Sequence, residues 1–325
     1  GKVKGLGRNA HLGQGEFLVA EADESDRSFL KLSPTIAVVT SLEEEHLDHY
    51  RDINDIKEAF LHFINQVPFY GLAVLCGDEQ NLQSLLPQVD KPYVTYGLTS
   101  SSHYHARDFA FCRLQSSFTA YRGDKKIGQV NFQLPGLHNV YNALAALSVG
   151  MELEIPFPLI QQALEGFSGI QRRFEIKGEA GKIMVVDDYG HHPTEIRATL
   201  RAARQGWRDR RLVVVFQPHR YSRTEALLQK FIEAFDEADF LILTRIYPAG
   251  EAPIPGVEAD LISQGIQQRN HPPILYLEEK EDILRHLREL KRPGDIILTL
   301  GAGDIWKVGE AFWKEMEKQE ARSKK

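Results

Sequence analysis

Five short apolar runs, Ile183–Val186, Leu212–Phe216, Phe240–Thr244, Ile274–Leu277 and Ile296–Leu300, are separated by segments long enough to form helices. Runs of this kind, with little polar alternation, read as strands covered on both faces by crossover helices. They commit the chain from Arg172 onward to a doubly wound sheet of β-α units. The first half shows related alternation. Strand-like runs fall at Phe17–Ala20, Ile36–Thr40, Leu72–Cys76 and Tyr93–Tyr96, with a helix near Ile53–Val67. Between about His103 and Leu134 the pattern becomes strands around a turn at Arg122–Lys125, so a small antiparallel piece is expected. Helices follow at His138–Met151 and Pro158–Gly166. The expected fold class is α/β. A parallel-sheet domain with a small antiparallel piece spans 1–169, and a doubly wound, Rossmann-like domain spans 170–325.

With 325 residues, two domains are the natural count. A formal net charge of −6 argues against a nucleic-acid surface as the main function. No run approaches the ~18 apolar residues of a membrane span, so no membrane insertion is expected. The two cysteines, Cys76 and Cys112, match no metal or redox spacing, which suits a reduced, cytoplasmic setting. Gly1 to Gly15 holds five glycines and no clear element, and the chain reads as if entered part-way through a longer protein. Gly5–Ala10 mimics a dinucleotide fingerprint, but no strand precedes it and no helix follows.

The chemistry gathers where runs end. After Ile183–Val186 come Asp187, Asp188, Tyr189, His191 and His192, then Pro193-Thr194-Glu195 opening a helix-like stretch. Open α/β sheets bind ligands at that place. Asp187 and Asp188 suit a metal, a ribose or a proton, and His191 and His192 titrate near neutral pH. After Leu212–Phe216, Arg220 and Arg223 can fork around a carboxylate or phosphate; a solvated arginine surface is the bland alternative. Two further loops, Tyr247–Glu251 and Gly301–Asp304, follow the third and fifth runs, so all four loops share one sheet edge. In the first half, Glu21–Asp26 and His46-Leu47-Asp48 follow strand-like runs. A carboxylate and an imidazole at neighbouring strand ends suit a divalent ion that bridges phosphates, though four acids in six residues also describe a solvated turn. Asn139 and Asn142 lie on one helical face, where two amides can read a base edge or simply cap a helix. Arg172 and Arg173 sit at the domain join, with a structural ion pair as the alternative.

In order, Ala20–Asp26, Glu45–Asp48, Gly136–Asn142, Arg172–Phe174, Val186–Glu195, Phe216–Arg223 and Tyr247–Gly256 closely resemble the motifs of the Mur ligases, and within them the alanine-adding branch. The resemblance covers nearly the whole chain. It implies ATP-dependent amide formation between UDP-N-acetylmuramate and L-alanine, in which the lactyl carboxylate is activated as an acyl phosphate and then attacked by the amine. It implies ATP and Mg²⁺ as cofactors, with Glu21 and His46 as metal ligands. Asn139, Asn142, Arg173, Asp188 and Tyr189 become the nucleotide-binding set. His191, Arg220 and Arg223 become the groups that hold the substrate carboxylate and stabilise the anionic intermediate. The first domain then corresponds to the central ATPase domain, truncated at its start. The family's amino-terminal domain and its phosphate-cradling loop have no counterpart, since Gly-Lys-Ser and Gly-Lys-Thr occur nowhere. The 325 residues alone are therefore expected to be inactive. Two rival readings are a ligase that recycles a tripeptide onto the same nucleotide sugar and a non-catalytic nucleotide-binding fragment. A metal phosphoesterase fits less well, because the metal-binding groups are split between two domains.

Overall fold

The structure is a computed structural model and describes residues 10–46 and 49–323. Most of the Gly5–Ala10 segment, together with Leu47 and Asp48, lies outside the described residues. Two six-stranded sheets organise the chain, in the orders β1-β2-β3-β4-β5-β6 and β11-β10-β9-β12-β8-β7.

The first sheet comprises β1 (Ile36–Val39), β2 (Leu72–Cys76), β3 (Tyr93–Gly97), β4 (Tyr104–Cys112), β5 (Gln115–Arg122) and β6 (Lys125–Phe132). Pairing is parallel from β1 to β4 and antiparallel from β4 to β6. Its helices are α1 (Ile53–Asn65), α2 (Gln80–Leu85), α3 (Leu137–Glu152) and α4 (Phe157–Gly166). Asp52 caps α1 by accepting the amides of Asn54 and Asp55, the usual device for donors left over in a first turn. Val140, Leu144 and Leu147 of α3 lie in one core with Ala73, Val74 and Phe118 of the strands.

The strand expected at Phe17–Ala20 does not form. Phe17, Leu18 and Val19 are 61%, 93% and 92% exposed, and β1 has β2 as its one strand neighbour among the described residues. A single apolar run without ladder partners cannot satisfy its backbone, so β-propensity alone does not make a strand.

The second sheet comprises β7 (Glu175–Ala180), β8 (Ile183–Asp188), β9 (Arg211–Phe216), β10 (Phe240–Leu243), β11 (Ile274–Tyr276) and β12 (Asp295–Leu300). All neighbours are parallel except β7, which returns antiparallel along β8. Its helices are α5 (Pro193–Gly206), α6 (Tyr221–Ala226), α7 (Leu228–Ile232), α8 (Asp260–Arg269), α9 (Lys280–Leu290) and α10 (Trp306–Ser323). Alternate residues feed two cores: Leu212, Val214 and Phe216 pack with α5 and α8, while Val213 and Val215 pack with Ile283 of α9 and Phe312 of α10. This two-sided burial explains the unbroken apolar runs. The sequence gives no sign of β7, whose Glu-Ile-Lys-Gly-Glu-Ala is only partly buried and bulges between Ile176 and Gly178. Because β12 lies between β8 and β9, the chain crosses over there, and the loops after these strands open onto one edge.

Candidate active-site cleft

The loop after β8 is built from inside outward. Asp187 and Asp188 end the strand and are almost fully buried. Asp188 accepts the amides of Phe174 at 2.7 Å and Gly190 at 2.8 Å, and the Thr199 hydroxyl at 3.2 Å. Burial pushes its carboxyl up, and the two amides pull it back. Its oxygens thus face the protein and hold the loop, rather than facing a ligand as the sequence suggested. Asp187 accepts Arg172 Nε at 3.0 Å and Thr299 Oγ1 at 2.8 Å. Arg172 also donates to Gly301 O at 2.6 Å and lies 4.9 Å from the Tyr189 ring centre. The loops after β8 and β12 are thereby tied together, and the Tyr189 ring stands half-exposed.

His191 follows, with its amide bonded to Glu195 Oε2 at 3.0 Å and its Nδ1 3.1 Å from Tyr189 O. Burial lowers the pKa of His191, against the pull of Glu195, so the ring is neutral near pH 7. Burial works against the charge on Glu195 as well. The His191 ring, protonated at the acid pH where this carboxyl titrates, together with Arg173 and the His191 amide, outweighs it and holds Glu195 at about 2. Arg173 Nη1 reaches Glu195 Oε1 at 3.0 Å.

The loop after β9 supplies the opposite side. His219 bridges to Tyr247 through the backbone, and its ring stacks on Tyr247 at 5.6 Å and 10°. The His191 ring stands 5.7 Å away, edge-on. Burial, and then the positive groups around it, holds His219 at about 4. Arg220 opens α6 with φ 71°, its Nε 4.0 Å from Glu251. Ser222 anchors Glu251 through both amide and hydroxyl, at 3.1 and 2.6 Å. Arg223 lies one turn on, with Nη1 3.5 Å from His219.

The first sheet provides the facing wall. His46 Nε2 is 3.5 Å from Glu24 and 3.7 Å from Glu45. The hydrogen bond with Glu24 raises the His46 pKa above its ordinary value, while burial raises Glu45. The ligand atoms of Glu24, Glu45 and His46 all lie within 4.8 Å of one another. Two carboxylate oxygens and an imidazole suit a divalent cation, which would compete with protonation of His46. Glu21, the expected partner of His46, is not in this group; it is exposed, and its charge acts instead on Arg173. Glu24 and Glu45 were within the acidic stretches noted in the sequence, but spacing along the chain could not choose among six acids.

These parts converge. A cavity of about 190 Å³ is lined by Ser25, His46 and His49 from the first unit and by His191, His219, Arg220 and Arg223 from the second. Asn139 and Asn142 stand apart, on the first turns of α3. Asn139 Nδ2 donates to Pro135 O at 2.8 Å and Asn142 Nδ2 reaches Asn139 Oδ1 at 3.4 Å. Beside them, burial lowers His138 to about 4.

Residues 8–150 match the Mur ligase middle domain, and 172–303 match the Mur ligase glutamate ligase domain. The chain is 54% identical over 312 residues to the UDP-N-acetylmuramate–L-alanine ligase of Geobacter sp. strain M21, spanning 96% of this chain and 68% of that protein. The chain belongs to the Mur ligase family. A second relative of the same name, from Syntrophotalea carbinolica, is 52% identical over 98% of this chain and 70% of its own length. This Mur ligase chain thus spans about two thirds of the curated relatives it matches. Among solved structures, the UDP-N-acetylmuramate–alanine ligase of Thermotoga maritima superposes with a TM-score of 0.75 at 25% identity, over 91% of this chain and 63% of that one. The murein peptide ligase of Psychrobacter arcticus superposes with 0.60, also at 25% identity, over 89% and 58%. Among the described residues, no helix is long and apolar enough to cross a membrane.

Proposed function

We propose that this chain carries the amide-forming centre of an ATP-dependent ligase that joins L-alanine to UDP-N-acetylmuramate in peptidoglycan precursor synthesis in the cytoplasm. The observation that carries the reading is the cleft in which His46, Glu24 and Glu45 of one unit meet His191, His219, Arg220 and Arg223 of the other. We assign its walls to units 1–169 and 170–325. Arg220 and Arg223 present guanidinium groups to the substrate carboxylate and to the oxyanion that develops when the amine attacks. His191, kept neutral by burial, presents an imidazole where a further cation would only add repulsion to the arginines. Glu24, Glu45 and His46 would hold Mg²⁺, which neutralises charge between the ATP phosphates. Asn139 and Asn142 on α3, together with Tyr189 and Arg173 of the second unit, are the groups assigned to the nucleotide base and ribose.

The test is alanine-dependent release of phosphate from ATP, measured in a polypeptide that carries these residues at the full length of the curated relatives. The 325 residues contain no Gly-Lys-Ser or Gly-Lys-Thr, so by themselves they are expected to release none. Turnover with a free tripeptide and none with alanine would replace this reading with the recycling ligase. In the full-length enzyme Arg223→Lys keeps the charge but loses the planar fork. The loss of a charged, bidentate contact is expected to weaken the apparent alanine constant about 30- to 150-fold, from ~2–3 kcal/mol. Unchanged alanine kinetics in both Arg223→Lys and Arg223→Ala would reduce this side chain to local packing.

A further inference from the structure

Glu43 belongs to the loop after β1, yet its contacts lie in the other unit. Its Oε2 accepts the Thr194 hydroxyl at 2.7 Å, across 151 residues of chain, and stands 3.5 Å from His192 Nδ1. Thr194 is exposed, at the second position of α5. The preceding residue is Pro193, which has no amide to offer. The remaining amides of that turn are engaged locally. Those of His191 and His192 go to Glu195 at 3.0 and 3.2 Å, and that of Thr194 goes to His192 Nδ1 at 3.4 Å. The Thr194 hydroxyl is thus the donor through which a carboxylate from outside can take hold of this turn. A negative charge there also meets the positive end of the helix.

His192 strengthens the case. It is 4% exposed, and its Nε2 has no hydrogen-bond partner. That nitrogen points across the same seam, 3.6 Å from Glu45 Oε1. Glu43 and Glu45 therefore flank one imidazole of the second unit, and His46 follows directly in the chain. We propose that Glu43 is a positioning residue: it seats the first turn of α5 against the loop after β1, and so sets His191 opposite His46. The proposal does not rest on the ligase reading, since it concerns how the two walls are registered whatever passes between them.

Amide hydrogen exchange on the 325-residue chain tests it without any assay of turnover. Glu43→Ala should speed exchange at Thr194–Ile196, in the other unit. Thr194→Val should speed it at Glu45, His49 and Tyr50, whose amides bond to Glu43 O and His46 O. Each change should be roughly three- to tenfold, the size expected for the net contribution of one ordinary hydrogen bond. The double variant should add little to either single one, and Glu43→Gln, which keeps an acceptor, should restore most of the protection. Amides of β12 serve as the reference and should not change. Effects confined to the altered unit, effects that multiply in the double variant, or a parallel rise in β12 would each overturn the proposal.

Discussion

Burial lowers the pKa of one imidazole on α3 and one in the cleft, whereas the hydrogen bond with Glu24 raises that of His46. His138 and His219 are both held at about 4, against an ordinary value of 6.5. A lowered pKa means that the unfolded chain takes up the proton first as pH falls. The stability these residues contribute is complete above 6.5 and is lost between 6.5 and about 4. For the part-buried His138 the slope in that window stays below the one-proton limit of ~1.4 kcal/mol per pH unit, and for His219 solvent screening lowers it as well. Urea melts at pH 7.5, 6 and 5 should show wild-type stability falling with acid, and His138→Asn should fall less steeply. Equal slopes would assign the acid sensitivity to other groups. At this scale the sequence was informative about which residue types assemble and silent about which way they face. His191, His219 and Arg223 met as their strand-end positions implied. Asp188 turned inward, because a carboxylate at the end of a buried strand is better served by three donors of its own fold than by a solvent-facing ligand. Glu24 stands nearer than Glu21 to His46 and Glu45, because the chain there bends through turns that no periodicity encodes.

Single elements show where local pattern suffices. The apolar runs from β8 to β12 were legible because both faces of the sheet are covered, so nearly every side chain in them had to be apolar. β7 was not legible, because it is an edge strand that owes its place to β8 and to the ring of Trp313 under Gly178, where a Cβ would lie 2.1 Å from the indole nitrogen. Gly136, which caps α3 with φ 95°, is a sharper case. A Cβ there would come 2.6 Å from Cβ of Ala202 on α5. Gly250 has a similar φ of 88° but nothing within 4 Å. Gly136→Ala and Gly250→Ala should therefore share a backbone cost of about 1–3 kcal/mol, with Gly136→Ala losing more because α3 and α5 must also part. Paired thermal melts check this, and a Gly136→Ala loss no greater than that of Gly250→Ala would mean that the two helices give way freely.

At the level of the whole molecule, the second unit holds two cores of its own on either side of its sheet. A polypeptide of residues 170–323 should therefore melt cooperatively by itself. A gradual, featureless melt would show that it depends on the first unit, where Leu114 of the β4–β5 turn reaches into its core. The two units meet along α5 at three levels: Thr194 on Glu43, Ala202 against Gly136, and Gly206 O on the amide of Arg113 at 3.0 Å. From Thr194 to Gly206 a helix rises about 18 Å. That makes α5 a spacer whose length is gauged at both ends by the other unit. Adding or removing one residue would turn everything beyond it by about 100° and shift it ~1.5 Å, so only one end could stay in register. Among chains of this design α5 should tolerate exchanges of residue but no change in count, a rule that binds a helix whose own sequence gives no hint of it.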